Sequence, residues 1–295
     1  MLSAMARIAI IGGGSIGEAL LAGLLRAGRQ VKDMVVAERM PERARYLSNT
    51  YSVLVTSVPD ATENATFVIV AVKPSDVASV VDEIAEAAAR AQHDSAEQVF
   101  VTVAAGVTTA YYESRLPAGS PVIRVMPNAP ALVGAGISAL ARGRFATPEQ
   151  LEEVSALFDC VGGVLTVPES QLDTVTAVSG SGPAYFFLVV EALVDAAVAA
   201  GLTRPVATDL VAQTMAGSAA MLLERMNQGR QPAADAALGS GVDTTAAQLR
   251  ATVTSPGGTT AAGLRELERG GLRAAIAAAV EAGKKRSEQL GVTSE

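Results

Sequence analysis

The sequence predicts an α/β protein in two parts. Residues 1–168 form a doubly wound domain with a mostly parallel sheet, and residues 169–295 form an all-α domain. Three observations carry this prediction. Short, nearly continuous apolar runs alternate with helical patterns in the first half. A glycine-rich loop joins the first run to the first helix. Past about Pro168 the strand pattern stops and only helical periodicity continues. A length of 295 residues suits two domains.

The predicted strands are Arg7–Ile11, Asp33–Ala37, Phe67–Val72, Val99–Val103, Val122–Val125 and Gly163–Val167, with Ile137–Leu140 a weaker one. They read as continuous apolar runs, which suits a sheet covered on both faces. Between them, Leu20, Leu21, Leu24 and Leu25 make an apolar helical stripe, and Ser75–Arg90 and Pro148–Phe158 are further helices. The second half reads as helices at Ala184–Ala200, Pro205–Gln228, Thr244–Thr252, Thr259–Arg269 and Leu272–Leu290. Gly201, Gly229, Gly241 and the Gly270–Gly271 pair punctuate them.

Composition removes several chemistries. There is one cysteine, Cys160, and one histidine, His93. No internal disulfide is possible, and no Cys/His zinc site, so no metal is expected. Any mechanism with a histidine acid or base would have to use His93. That residue reads as a surface position at the amino-terminal edge of the sheet. Cys160, beside apolar neighbours, reads as a small buried residue. A net charge of -7 argues against nucleic-acid binding. The longest unbroken apolar runs, Ala184–Val190 and Ala274–Val280, are too short to span a membrane. The N-terminus does not resemble a signal peptide. A soluble cytoplasmic protein is the expectation. Residues are 49% hydrophobic but only 4% aromatic, without Trp. The core therefore rests on Ala, Val, Leu and Ile.

The first strand ends in Gly12-Gly13-Gly14-Ser15-Ile16-Gly17 and a helix follows. This is G-x-G-x-x-G between a strand and a helix, the dinucleotide-binding pattern. Gly12 makes the tight turn, Gly14 admits the pyrophosphate, and Gly17 lets the helix sit close. The opening of the helix, with Ser15 and Ile16, offers free N–H groups to phosphate. At the end of the second strand, Glu38 suits the 2'-hydroxyl of NAD and Arg39 the 2'-phosphate of NADP, which leaves the two cofactors open. Ala71-Val72-Lys73-Pro74 and Ala104-Ala105-Gly106-Val107 follow later strands. Their place at the carboxyl edge of the sheet predicts contact with ribose and nicotinamide.

Three blocks resemble the pyrroline-5-carboxylate reductases. They are Val122-Ile123-Arg124-Val125-Met126-Pro127-Asn128-Ala129-Pro130, Val178-Ser179-Gly180-Ser181-Gly182-Pro183-Ala184-Tyr185, and Val253-Thr254-Ser255-Pro256-Gly257-Gly258-Thr259-Thr260. The resemblance spans nearly the whole chain. It implies a Rossmann domain followed by a helical domain that interlocks with a partner's as a dimer, with five dimers in a ring. It implies reduction of 1-pyrroline-5-carboxylate to L-proline by NADPH or NADH. It makes Thr260 the residue that hydrogen-bonds the ring nitrogen, and the expected mechanism sets the nicotinamide against the Ala104–Gly106 loop and the Met126–Asn128 turn. The stretch Gly241–Thr245 and the Ala246–Ala247 pair lack the proline often seen there, and Asp243 is given no role.

The residues give this assignment a physical basis. Ser-Pro-Gly-Gly-Thr-Thr ahead of a helix suits a carboxylate. Ser255 donates from its hydroxyl, Gly257 and Gly258 let N–H groups face an anion, and the helix from Thr259 adds its dipole. Val253 and Thr259 complete the expected substrate set. An iminium brings its own proton, so a strong protein acid is not required. A rival reductase acting on hydroxy- or keto acids would need a lysine early in the helical half, yet the only lysines past Pro168 are Lys284 and Lys285. A non-enzymatic dinucleotide sensor would not need a carboxylate receptor.

Overall fold

The structure is a computed structural model that describes residues 6–90, 98–229 and 245–292. His93, Gly241 and Asp243 lie outside the described residues.

Eight strands form one sheet: β1 (Ile8–Ile11), β2 (Met34–Ala37), β3 (Leu54–Thr56), β4 (Phe67–Val70), β5 (Val99–Thr102), β6 (Val122–Met126), β7 (Gly136–Arg142) and β8 (Gly162–Thr166). Their order is β3-β2-β1-β4-β5-β6-β7-β8. All neighbours pair in parallel except β6 with β7, which run antiparallel. The chain order reverses at β1, which lies between β2 and β4. That switch opens a crevice at the carboxyl ends of β1 and β4. β1, β2, β4 and β5 are buried at every position, as strands covered on both faces must be.

Helix α1 (Ser15–Arg26) packs on one face. Its buried Leu20, Leu21 and Leu24 join Ile8, Ile10, Met34 and Phe158 in one core cluster. Each leucine so buried contributes about 1.5–3 kcal/mol. The other face holds Val77, Val81 and Ile84 with Ile11, Val70 and Tyr112. The remaining helices of this half are α2 (Pro41–Tyr51), α3 (Val58–Thr62), α4 (Val77–Arg90), α5 (Thr109–Glu113) and α6 (Pro148–Phe158). Thr147 caps α6 in a full capping box with Gln150.

Beyond Pro168 only helices occur among the described residues. They are α7 (Leu172–Val175), α8 (Gly182–Ala199), α9 (Arg204–Gly229), α10 (Thr245–Thr252), α11 (Thr259–Arg269) and α12 (Leu272–Val292). A π-helical turn, Thr176–Gly180, joins α7 to α8. By contacts, Met1–Pro183 with Ala279–Glu295 form one compact unit and Ala184–Ala278 a second. The first unit thus takes in α7, the π-turn and the last part of α12.

α8 is apolar around much of its circumference, and its side chains stay exposed. Phe186, Phe187 and Leu188 are 59%, 67% and 65% exposed. Large apolar side chains exposed side by side mark an interaction surface. Two helical stretches, Glu169–Ala199 and Arg204–Asn227, are long and apolar enough to cross a membrane by length and composition. Counting unbroken apolar runs misses this, because isolated charges such as Glu191 and Asp195 interrupt the runs without making the helix polar.

Candidate active site

The glycine loop leaves β1 under tight constraint. Gly12 donates its N–H to Ala37 O at 2.8 Å and holds φ at +104°. A Cβ there would stand 2.7 Å from Ala71 O and 2.9 Å from Val72 Cγ1. Gly17 is close-packed for a second reason, since its Cβ would collide with the Gly12 carbonyl. Gly14 differs from both. A Cβ on it meets nothing within 4 Å. It is the residue before α1, without a side-chain cap, so N–H groups of the first turn face outward.

The loop borders a cleft of about 620 Å³ at the carboxyl edge of the sheet. The cleft brings together Gly12, Gly14, Glu38, Arg39, Ala71, Val72 and Lys73. A Cβ at Gly12 would crowd its floor, and free N–H groups with the dipole of α1 suit a phosphate at its mouth. These residues therefore fit a dinucleotide. Ser15, Ile16 and Gly17 open α1 beside it, and Pro74 begins a 3-10 turn, Pro74–Asp76. Ala105 and Gly106 lie in the loop after β5. Met126 ends β6 and Asn128 follows in the next turn. None of these last four lines the cleft.

Glu38 and Arg39 have different surroundings. Glu38 accepts from Gly13 N at 2.9 Å and from Met40 N at 2.8 Å, so each carboxylate oxygen already holds a backbone donor. Arg39 reaches out, 74% exposed, and pairs with Asp76 at 3.1 Å. The sequence reading missed Thr56 and Ser57, which line the same cleft from the end of β3. Their signal was a three-residue strand, too short to stand out. It also missed a brace behind the loop. Arg43 Nε donates to Gly13 O at 2.6 Å, and the same guanidinium pairs with Glu18. Tyr46 and Tyr51 hydroxyls donate to Glu18 at 3.0 and 2.8 Å. Burial acts to raise the Glu18 carboxyl, but donation from Arg43, Tyr51 and Tyr46, with the Arg43 charge, holds it below its ordinary value. Burial and the Glu18 carboxylate push the Tyr51 phenol up to about 12.

Asn128 is engaged by the protein on both sides of its amide. Its oxygen accepts from Ile137 N at 2.9 Å and its nitrogen donates to Ser179 Oγ at 3.3 Å. The amide thus fastens the turn after β6 to β7 and to the π-turn.

In the second unit, Gly258 N donates to Ser255 O at 3.0 Å and closes a four-residue turn. Pro256 stands second, and Gly257, third, takes φ +68°, as a type II turn requires. The turn delivers the chain into α11, whose residue before the first turn is Gly258, again without a side-chain cap. The first N–H to bond back into the helix is that of Ala262, to Gly258 O at 3.1 Å. Ser255, Thr259 and Thr260 are exposed around these unpaired donors, and Val253 is 57% exposed. The arrangement sets hydroxyls around a helix N-terminus whose N–H groups and dipole suit an anion.

Cys160 is half-buried, and its thiol donates to Leu157 O at 3.0 Å. Burial pushes that thiol up to about 11, which leaves it un-ionised and a poor nucleophile near neutral pH. No group of three or more potential metal ligands occurs among the described residues.

Comparison with known proteins accounts for both halves. Residues 169–290 match the family described as pyrroline-5-carboxylate reductase dimerisation. Residues 7–106 match NADP oxidoreductase, coenzyme F420-dependent. The pyrroline-5-carboxylate reductase of Mycobacterium tuberculosis (strain CDC 1551 / Oshkosh) is 75% identical over 295 residues, the whole of both chains. That of Mycobacterium leprae is 76% identical over the same span. The solved pyrroline-5-carboxylate reductase of Coxiella burnetii superposes with a TM-score of 0.83 at 32% identity, covering 97% of this chain and 98% of that one. The Plasmodium falciparum pyrroline carboxylate reductase, solved with NADP bound, gives 0.79 at 26% identity over 97% and 98%. A glycine-loop cleft, a helical domain matched to a dimerisation family and full-length identity of this size lead to one statement: the chain belongs to the pyrroline-5-carboxylate reductase family.

Proposed function

We propose that this protein reduces 1-pyrroline-5-carboxylate to L-proline with NADPH, NADH being the alternative, as the last step of proline biosynthesis. The observation that carries the reading is the Ser255–Thr260 turn. It presents unpaired N–H groups and three hydroxyls at a helix N-terminus, a receptor for a small carboxylate that a generic dinucleotide-binding protein does not need.

The chemistry divides among the chain's own residues. Gly12, Gly14, Ser15, Ile16 and Gly17 hold the pyrophosphate against the N-terminus of α1. Arg39 takes the 2'-phosphate of NADPH. Glu38 is already bonded to two backbone N–H groups, so its main work is to hold the glycine loop. Ala71–Pro74, Ala105 and Gly106 border the ribose and nicotinamide, with Met126 and Asn128 beyond them. The bound cofactor supplies hydride to the imine carbon. Gly257 and Thr259 N–H groups and the Ser255 hydroxyl anchor the substrate carboxylate, while the Gly258 N–H closes the turn that presents them and Val253 lies against the ring. Thr260 orients the ring nitrogen. The substrate enters as its iminium, so the site provides position and water exclusion more than acid catalysis.

The helical domain, which we place at residues 169–295 against a dinucleotide-binding domain at 1–168, carries self-association. Its exposed Phe186, Phe187 and Leu188 form the dimer face, which accounts for long apolar helices without a bilayer. The dimer is the smallest complete enzyme. Five dimers form the full assembly, and the cytoplasm is its compartment.

Kinetics of Ser255→Ala and Thr260→Ala test the site. Each is expected to lower kcat/KM for pyrroline-5-carboxylate by roughly 10- to 100-fold, the loss of a hydrogen bond to a charged group. Wild-type efficiency in both variants would place the substrate elsewhere.

A further inference from the structure

One ionic cluster around a buried arginine has no part in the binding just described. Arg124 lies on β6, two residues before Met126, and is only 3% exposed. Its Nη1 donates to Glu169 Oε1 at 3.4 Å. Its Nη2 faces Asp173 Oδ1 at 3.7 Å and has no hydrogen-bond partner. A buried cation is costly unless its partners hold it in a fixed geometry, so what those partners touch matters.

Both carboxylates reach further. Glu169 accepts from the backbone N and the hydroxyl of Thr109, each at 2.7 Å. Thr109 is the first residue of α5, directly past the Ala104–Thr108 loop. At the other end of that loop, the Ala104 N–H bonds the Thr102 hydroxyl, which pairs with Tyr112 at 2.7 Å. Asp173 accepts from Ser287 Oγ at 2.6 Å, and Ser287 is a buried residue of α12. One guanidinium therefore links three things: the loop after β5, the strand that ends at the Met126–Asn128 turn, and the last part of the C-terminal helix.

We propose that Arg124 is a positioning residue, whose buried guanidinium, bridged by Glu169 to Thr109 and by Asp173 to Ser287, holds the loop after β5 and the turn after β6 in mutual register. The inference rests on the reading that these two segments border the nicotinamide. Positioning at this distance acts on hydride geometry more than on cofactor affinity, because the phosphates are held elsewhere, at the glycine loop.

The test is amide hydrogen exchange of the cofactor-free protein, wild type against Arg124→Met, which keeps the bulk and removes the charge. Exchange in residues 102–109 and 126–128 is expected to rise roughly tenfold, with residues 8–17 unchanged. NADP+ affinity, by calorimetry, should stay within about twofold while kcat falls about tenfold, and Arg124→Lys should restore part of kcat. Unchanged exchange in the two segments overturns the proposal. So does a uniform rise across the sheet, which would mark a purely structural residue. Should Arg124→Met fail to fold, Glu169→Gln keeps an acceptor for the Thr109 N–H and removes only the charge that faces Arg124. The same two segments must then loosen, and their failure to do so refutes the link. Exchange and NADP+ binding do not depend on turnover, so inactivity of the wild type toward pyrroline-5-carboxylate would count against the substrate reading alone.

Discussion

Alanine placed at Gly12 and at Gly14, two residues apart, should have opposite consequences. At Gly12 the backbone holds φ +104°, and a new Cβ would stand 2.7 Å from Ala71 O and 2.9 Å from Val72 Cγ1. The strained backbone costs about 1–3 kcal/mol. Pushing the end of β4 aside adds about 1–3 kcal/mol of overpacking. For a domain of this size, the total corresponds to a fall in Tm of roughly 4–20 °C. At Gly14, φ is -66° and no atom lies within 4 Å of the Cβ. Alanine there should leave the free protein as stable as before, or more stable by about 0.4–1 kcal/mol through the unfolded chain. Its methyl group, however, stands where the pyrophosphate must approach. Losing one N–H contact to a phosphate, at about 1.5–3 kcal/mol, raises the NADP+ Kd roughly 10- to 100-fold. Thermal melts of the two free proteins, with calorimetric titration of NADP+, separate these effects. If Gly14→Ala binds NADP+ like the wild type, the phosphates do not sit over this loop and the cofactor geometry is wrong.

Other expectations follow from single groups. Arg39→Ala should raise KM for NADPH roughly five- to tenfold, a modest effect because the side chain is exposed, and leave KM for NADH unchanged. Equal losses with both cofactors would remove Arg39 from the 2'-phosphate. Glu18 is held below its ordinary value in the folded state, so it contributes stability above its unfolded pKa and loses it as pH falls through the folded one. Denaturant melts of Glu18→Gln should therefore show a deficit at pH 7 that narrows steadily as the pH is lowered below the ordinary carboxylate range; a constant deficit would mean that the charge is irrelevant. Phe187→Asp places a charge on the exposed face of α8 in both subunits. Each buried Phe contributes about 1.5–3 kcal/mol, so two copies should weaken the dimer at least about a hundredfold. Light scattering that shows an unchanged particle mass would move the interface elsewhere.

The sheet was legible where its strands are buried on both faces. β1, β2, β4, β5 and β6 fall within two residues of the expected limits, because a continuous apolar run leaves little choice of structure; β8 falls as close although it is partly exposed. β3 was not read. Its three residues, Leu54–Thr56, lie at the sheet edge and are partly exposed. The antiparallel direction of β7 is not written in its composition. It comes from the short return after β6, where Asn128 binds Ile137 N across the turn. α2 buries only Leu47, so its pattern carried no core stripe. Helices α8 to α12 were legible to within two residues, whereas α7, only four residues long, was not read. Nor was the π-turn, since one extra residue in a helix leaves no periodic mark. The positions of the glycine and Ser-Pro-Gly-Gly-Thr-Thr motifs could be read directly, because only Gly tolerates the φ values at Gly12 and Gly257 at little cost. The second bonds of Glu38, Arg43 and Arg124 join residues far apart in the chain and needed coordinates.

The central claim is catalytic, and one mixture tests it. Purified protein, NADPH and pyrroline-5-carboxylate are combined, nicotinamide absorbance is followed and the product is quantified. The account predicts oxidation of NADPH with one molecule of L-proline formed per cofactor consumed. Absence of oxidation with both NADPH and NADH, in protein shown to bind NADP+, would contradict it.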